Sequence, residues 1–329
     1  MFRSRRVQWI AFILVVVLGV ATWRAASWWP RRVKLANGVI ILLQNAPDGG
    51  FYAVSQDAGT NNPTLWKLNA NLSVASSRSW KQPVRQAALS TDGKFLALLK
   101  GWEGAVRFYD ATDGHQMKTP EGLRASNMAF SPDGRYFVIC NSDPHYYGNN
   151  WTVFRRQGEK LILENHPEIN VSVSQLSFSA DSKTLALGGM GGDIAVVDFP
   201  SLKPRAVWPD LIDGKRSNMV SAVALTPDGK HLLSFHLGQY VVWEWNIATH
   251  SKRSQRLAYS PSDEIPNLLD YSSNGTTWVV GCSKVGNAST LQIERTLQHK
   301  SPSTAQLFAP NGDLLVGDAN GTITRWKLK

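Results

Sequence analysis

The chain has 329 residues, of which 35 are basic and 25 acidic, for a formal net charge of +10. Seven basic residues and no acidic one lie in the first 34 positions, so the remainder carries 28 basic against 25 acidic residues and offers no footprint for nucleic acid. Two cysteines, Cys140 and Cys282, are too few for a disulfide-stapled scaffold.

Residues 1–6 form a short basic tail with Arg3, Arg5 and Arg6. Residues 7–23 are an apolar run of 17 residues whose polar side chains are Gln8 and Thr22. As a helix this run spans about 26 Å at 1.5 Å per residue, the lower limit for crossing a membrane. Trp9 stands near one end and Trp23, Trp28 and Trp29 cluster at the other, the pattern of anchors at two membrane interfaces. Gly19-Val20-Ala21 also fits a small-x-small cleavage site, so the reading is a transmembrane anchor or, alternatively, a cleaved signal peptide. A short basic tail ahead of a single apolar run places the following domain on the extracytoplasmic side. After cleavage that domain would instead be secreted or periplasmic. Residues 24–30 read as a linker, and Arg24, Arg31 and Lys34 would meet anionic membrane lipid.

From residue 31 onward one phrase returns seven times. It reads Pro47-Asp48-Gly49, Ser90-Thr91-Asp92-Gly93-Lys94, Ser131-Pro132-Asp133-Gly134-Arg135 and Ser179-Ala180-Asp181-Ser182-Lys183. Thr226-Pro227-Asp228-Gly229-Lys230, Ser272-Ser273-Asn274-Gly275 and Ala309-Pro310-Asn311-Gly312-Asp313 complete the series. Successive Asp or Asn positions are 44, 41, 48, 47, 46 and 37 residues apart. Each phrase sits between two apolar runs and supplies the positive φ that closes a short hairpin. A third strand with a bulky pair follows: Leu65-Trp66, Phe108-Tyr109, Trp151–Phe154, Val196-Val197, Val242-Trp243, Leu291–Ile293 and Ile323–Trp326. A more polar outer strand comes next, as in Ala206-Val207-Trp208. A period of 40–45 residues with four short strands predicts an all-β, seven-bladed β-propeller. The last repeat has only three strands, so residues 32–36 are expected to complete it and close the ring.

These features resemble the WD40 family over residues 31–329. The resemblance rests on Ser131-Pro132-Asp133-Gly134-Arg135, on strands ending in an aromatic residue and Asp, and on Asp110-Ala111-Thr112-Asp113-Gly114, a stretch also similar to quinoprotein-type repeats. The chain departs from the family in having no Trp-Asp dipeptide, with Tyr109-Asp110, Val197-Asp198 and Trp243-Glu244 the nearest forms. It also lacks the Gly-His that opens such repeats, so the family's buried Asp-His-Ser-Trp hydrogen-bond network is not carried over. The resemblance implies a platform for protein–protein interaction.

No catalytic, metal or cofactor motif is present: no Gly-x-Ser-x-Gly, Walker loop, His-Glu-x-x-His or Cys-x-x-Cys. His231 and His236, five apart on one strand, should point to opposite faces. Asp110 and Asp198 read as structural. Cys140 and Cys282 fall three blades apart and are expected to be separate buried thiols. The pairs Arg155-Arg156 and Lys252-Arg253 read as solvated strand ends. Three long connections fall on one rim of such a ring. Residues 142–150 carry His145, Tyr146 and Tyr147; residues 210–218 carry Lys215 and Arg216; residues 260–266 carry Asp263 and Glu264. Long loops on one face of a rigid scaffold are where binding concentrates. The expected function is a membrane-anchored, monomeric, non-enzymatic scaffold that docks a protein or peptide on this rim, with no cofactor. The alternative is a propeller-type enzyme, a hydrolase, lactonase or quinoprotein-like protein, with a site in the central channel. A structural envelope component is a third possibility.

Overall fold

The computed structural model describes residues 30–328 apart from 101–103, 121, 141–150, 166–168, 170, 210, 213–214, 217–218, 237–239 and 258–267. Seven antiparallel sheets follow one another along the chain as seven blades, with no helix among the described residues. The first blade runs from the inside outward as Gly38–Asn45, Phe51–Asp57, Pro63–Leu68 and Val74–Ser79. Its second strand is buried on both faces over Phe51–Ser55 and its first strand is buried or half-buried, whereas Val74–Ser79 is exposed throughout. That gradient is what a sheet wedged between two neighbours requires.

The hairpin phrases form as their residues dictate. In the second blade the Ser90 hydroxyl donates to Asp92 Oδ1, which also accepts the Lys94 amide at 3.1 Å. The Phe95 amide then donates to Ser90 Oγ at 2.9 Å. The same three bonds recur around Ser131, Ser179, Thr226 and, with Asn274 in place of Asp, Ser272. The fourth phrase has Ser182 where the others have Gly, and Ser182 adopts the same left-handed φ of 60°. Its hydroxyl accepts the Asp133 amide of the preceding blade at 3.0 Å, a bond that glycine would forfeit.

The ring closes as expected. Strand Arg31–Lys34 pairs antiparallel with Thr322–Trp326, with Arg31 opposite Arg325 and Lys34 opposite Thr322. The seventh sheet thus joins both ends of the described chain, and its Thr322–Trp326 strand is not left bare. Seven apolar clusters hold the ring, each spanning one blade–blade junction. Near the axis, polar side chains on the inner strands tie blade to blade. Gln86 donates to Asn127 Oδ1 at 2.7 Å, Asn127 to the Ser174 carbonyl at 3.0 Å, and Thr304 to the Ile40 carbonyl at 2.7 Å.

Two expectations need correction, and one long connection gains detail. The second blade is a three-stranded sheet, Gln86–Leu89, Phe95–Lys100 and Ala105–Asp110, and among the described residues its outer segment is tied on by the isolated bridges Ala105↔Arg124 and Tyr109↔Gln116 rather than by a continuous strand. Pro120, which has no amide hydrogen to give a ladder, interrupts that segment. In the sixth blade the third strand is Lys284–Asn287, and the run at 291–293 leads into the fourth, Ile293–Thr296. A tight turn at 281–283 brings the third strand back early, and Gly286 leaves room for the Trp278 ring, which a Cβ there would meet at 2.1 Å. The connection at 210–218 is not wholly irregular, since Leu211–Ile212 pairs with Lys215–Arg216 as a small separate hairpin. Cys140 and Cys282 are separate buried thiols not joined in a disulfide, as expected, and burial pushes the Cys140 thiol far above its usual range.

Candidate functional site

The two rims of the ring differ. The hairpin phrases and the turns between third and fourth strands define one rim, built of short connections. Connections from second to third strand and from one blade to the next define the other. His145, Tyr146, Tyr147, Asp263 and Glu264, expected on that second rim, lie outside the described residues, as do Trp9, Trp23, Trp28 and Trp29. Lys215 and Arg216 form the second strand of the small hairpin between the fourth and fifth blades. Trp208, just before it, packs on Trp245 with ring centroids 5.1 Å apart and on His250 at 5.7 Å.

A concavity of about 720 Å³ opens on the short-turn rim between the fifth and sixth blades. Thr226, Pro227 and Asp228 form one wall, and Ser273–Thr276 with Asn287–Ser289 the other. Its floor holds Glu244 and Arg253, cross-strand neighbours on the third and fourth strands of the fifth blade. Glu244 is 6% exposed and is hydrogen-bonded by Arg253 Nε. The same guanidinium donates to the Ser289 and Ala288 carbonyls of the sixth blade, both at 2.6 Å. Arg253 is therefore a bolt between blades rather than a solvated strand end, and the Glu244 hydrogen bond raises its pKa. Arg78 repeats the motif between the first and second blades, donating to the Asp113 and Thr112 carbonyls at 2.6 and 2.8 Å. The other basic pair is likewise engaged: Arg155 pairs with Glu164, and Arg156 reaches Asp92 at 3.0 Å and lies over the Phe95 ring.

His231 also faces Glu244, with Nδ1 at 3.8 Å, while its Nε2 lies 3.1 Å from Asn246 Nδ2. Because the amide nitrogen can only donate, Nε2 is the acceptor and Nδ1 carries the proton toward Glu244. Beneath these groups lies Tyr271, 5% exposed, whose hydroxyl has no hydrogen-bond partner among the described residues. Burial raises its pKa first, and the Glu244 charge adds to the effect. Asp270, next in the chain, lies between the sixth and seventh blades. Desolvation raises its carboxyl to about 7 against the pull of the Tyr271 and Phe308 amides. The groove thus holds a carboxylate, a guanidinium and an imidazole engaged with one another, an arrangement suited to locking blades.

One further cluster has metal-ligand composition. Asp110, Asp113 and His115 bring their ligand atoms within 4.8 Å of one another in the second blade's outer turn. Asp110 Oδ1 already accepts the Thr112 amide at 2.6 Å, and Asp113 Oδ1 accepts the His115 amide at 3.0 Å. These carboxylates shape a turn, as expected for Asp110.

A fragment of the buried WD40-type network survives despite the missing dipeptide. In the fifth blade, Trp245 Nε1 donates to Ser234 Oγ at 2.8 Å, and that hydroxyl lies 3.0 Å from His236 Nε2, all buried. In the first blade Trp66 Nε1 donates to Ser55 Oγ at 2.9 Å with the same strand register. The signal was in the sequence: Ser and Trp eleven residues apart in both repeats.

Residues 64–171 match the family model described as eukaryotic translation initiation factor eIF2A. A component of eukaryotic translation initiation factor 3 from Nicotiana tabacum is 27% identical over 124 residues, covering 36% of this chain and 16% of that protein. "SEC12-like protein 1" of Arabidopsis thaliana is 26% identical over 191 residues, covering 51% of this chain and 46% of that protein. The chain therefore spans less than half the length of these relatives. With the ring geometry, the matches support a β-propeller of WD40 type.

Proposed function

We propose that this propeller is a non-enzymatic interaction platform, held at a membrane by residues 7–23 on the extracytoplasmic side, which docks a protein or peptide on its long-loop rim. The observation that carries the reading is the direction of the closing strand. Arg31 lies opposite Arg325, and the strand runs toward Thr322, where the Leu35 amide donates to the Gly321 carbonyl at 2.9 Å. Residues before Arg31 therefore approach from the short-turn rim. Eight residues from Trp23 reach at most about 29 Å at roughly 3.6 Å each, so a tether there holds the short-turn side of the seventh blade near the lipid. The strands that flank the connections at 141–150, 210–218 and 258–267 end at the other rim, the one this reading leaves to a partner.

Two measurements test this. A C-terminal reporter enzyme active only outside the cytoplasm should be active; a silent reporter on stable protein would place the propeller in the cytosol. A soluble species shortened by about 21 residues would mean cleavage after Ala21 and no anchor. Photo-crosslinkers at Tyr146 and Asp263 should capture a discrete partner that crosslinkers at Asp181 and Asn274 do not. Capture only from the latter positions would put docking on the short-turn rim.

A further inference from the structure

On the seventh blade's face toward the sixth, a cavity of about 250 Å³ brings together Arg32 and Lys34 of the closing strand with His299, Lys300 and Ser301 of the incoming connection. We infer that this cavity is a binding site for a phosphate-bearing anion, either a lipid headgroup or a soluble phosphate ester. Arg32, Lys34 and Lys300, all exposed at the cavity, have no carboxylate partner among the described residues. Asp318 is the acidic residue among the described lining groups, and its Oδ1 already accepts the Asn320 and Thr322 amides, both at 2.9 Å. The lining is therefore cationic on balance. Ser301 adds a buried hydroxyl that makes no hydrogen bond among the described residues. His299 is fixed at the edge by Nε2, 2.9 Å from the Cys282 carbonyl, and by edge contact with Trp326.

A tetrahedral anion matches this set. It offers several acceptor oxygens to guanidinium, ammonium and hydroxyl donors, and its charge offsets that of the three cations lining the cavity. The neighbours on the closing strand make the site consequential, since an anion held by Arg32 and Lys34 on one side and Lys300 on the other would clamp the strand that closes the ring. Ligand binding should then raise the unfolding temperature of the whole propeller.

The full chain in zwitterionic detergent micelles, unfolded thermally and followed by tryptophan fluorescence, provides the test. Inorganic phosphate and a short-chain phosphatidic acid mixed into the micelles are compared with chloride at equal ionic strength. A rise of about 2–4 °C is expected with at least one phosphate probe. The R32Q/K300Q variant should lose the rise, whereas K94Q/K203Q, altered elsewhere on the surface, should keep it. A rise with inorganic phosphate identifies a soluble ligand; a rise with phosphatidic acid alone identifies a lipid headgroup. No rise above chloride with either probe, or an equal rise in R32Q/K300Q, overturns the site. Should the double variant fail to fold, K300Q alone, changed in a connecting segment, gives the same comparison. The outcome does not depend on whether residues 7–23 span a membrane.

Discussion

At the scale of single residues, the protein places its buried polar groups where a second group answers them, and Ser234 is the clearest case. Its hydroxyl serves both the Trp245 indole and the His236 ring in a site closed to water. Ser234→Ala should therefore cost about 1–3 kcal/mol in denaturant unfolding, because two buried partners lose their bond. Ser55→Ala, which frees only the half-buried Trp66, should cost less. Titration of the carboxylates gives opposite signs at two places. Asp48 and Asp181 are lowered chiefly by hydrogen bonds from Lys67 and Ser179; in Asp92, Asp133 and Asp228 burial pushes upward, but hydrogen bonds from Ser90, Ser131 and Thr226 help carry the balance down. Lowered folded values mean that stability from these turns is complete above the unfolded value of 3.8 and drains as the pH falls through the folded values. Asp270 runs the other way. Its folded value of about 7 exceeds the unfolded 3.8, so its contribution is full below 3.8 and is lost as pH rises through 7. The stability that Asp270 contributes should fall as the pH rises from about 4 to about 7 and level off above that, and Asp270→Asn, which keeps an acceptor oxygen, should flatten that slope. Urea titrations of both proteins across this range check the sign.

At the scale of strands and turns, the sequence was most legible where chemistry is local. Ser90, Asp92 and Gly93 contain within a few residues everything the hairpin needs, which is why all seven turns could be placed from the chain alone. The third strand of the sixth blade was misread because Gly286 and the turn at 281–283 leave no bulky pair to mark it. The inter-blade bolts were not legible either. Arg253 acts on Ala288 and Ser289 about one repeat away, and no pattern around Lys252-Arg253 announces that reach. The same holds for the groove, whose floor combines Glu244 and Arg253 above Tyr271 of the next blade. Arg253→Ala should destabilise the protein by about 2–4 kcal/mol, below the figure for a fully enclosed pair because Arg253 remains partly open to water. Arg78→Ala, which strands no buried carboxylate, should cost about 1–2 kcal/mol. Chemical denaturation of the two variants side by side gives the comparison, and equal losses would show that the Glu244 charge is not what Arg253 supports.

At the scale of the whole molecule, the ring depends on four residues. Deleting residues 31–36 removes the outer strand of the seventh blade and bares the edge of Thr322–Trp326, so it should lower the unfolding temperature far more than deleting residues 1–23. Equal melting temperatures for the two truncations would show that closure contributes nothing. The pairing also has a consequence in time. Strand Arg31–Lys34 is among the first parts of the propeller to leave the ribosome, and its partner Thr322–Trp326 is among the last. At about 5–20 residues per second, the roughly 290 residues between them take about 15–60 s to synthesise. For that interval the first-made strand has no native partner, and a chain interrupted before Trp326 can never supply it. Closure of the ring thus reports that translation has passed that point, and an arrested product carries an exposed edge that chaperones and proteases can recognise.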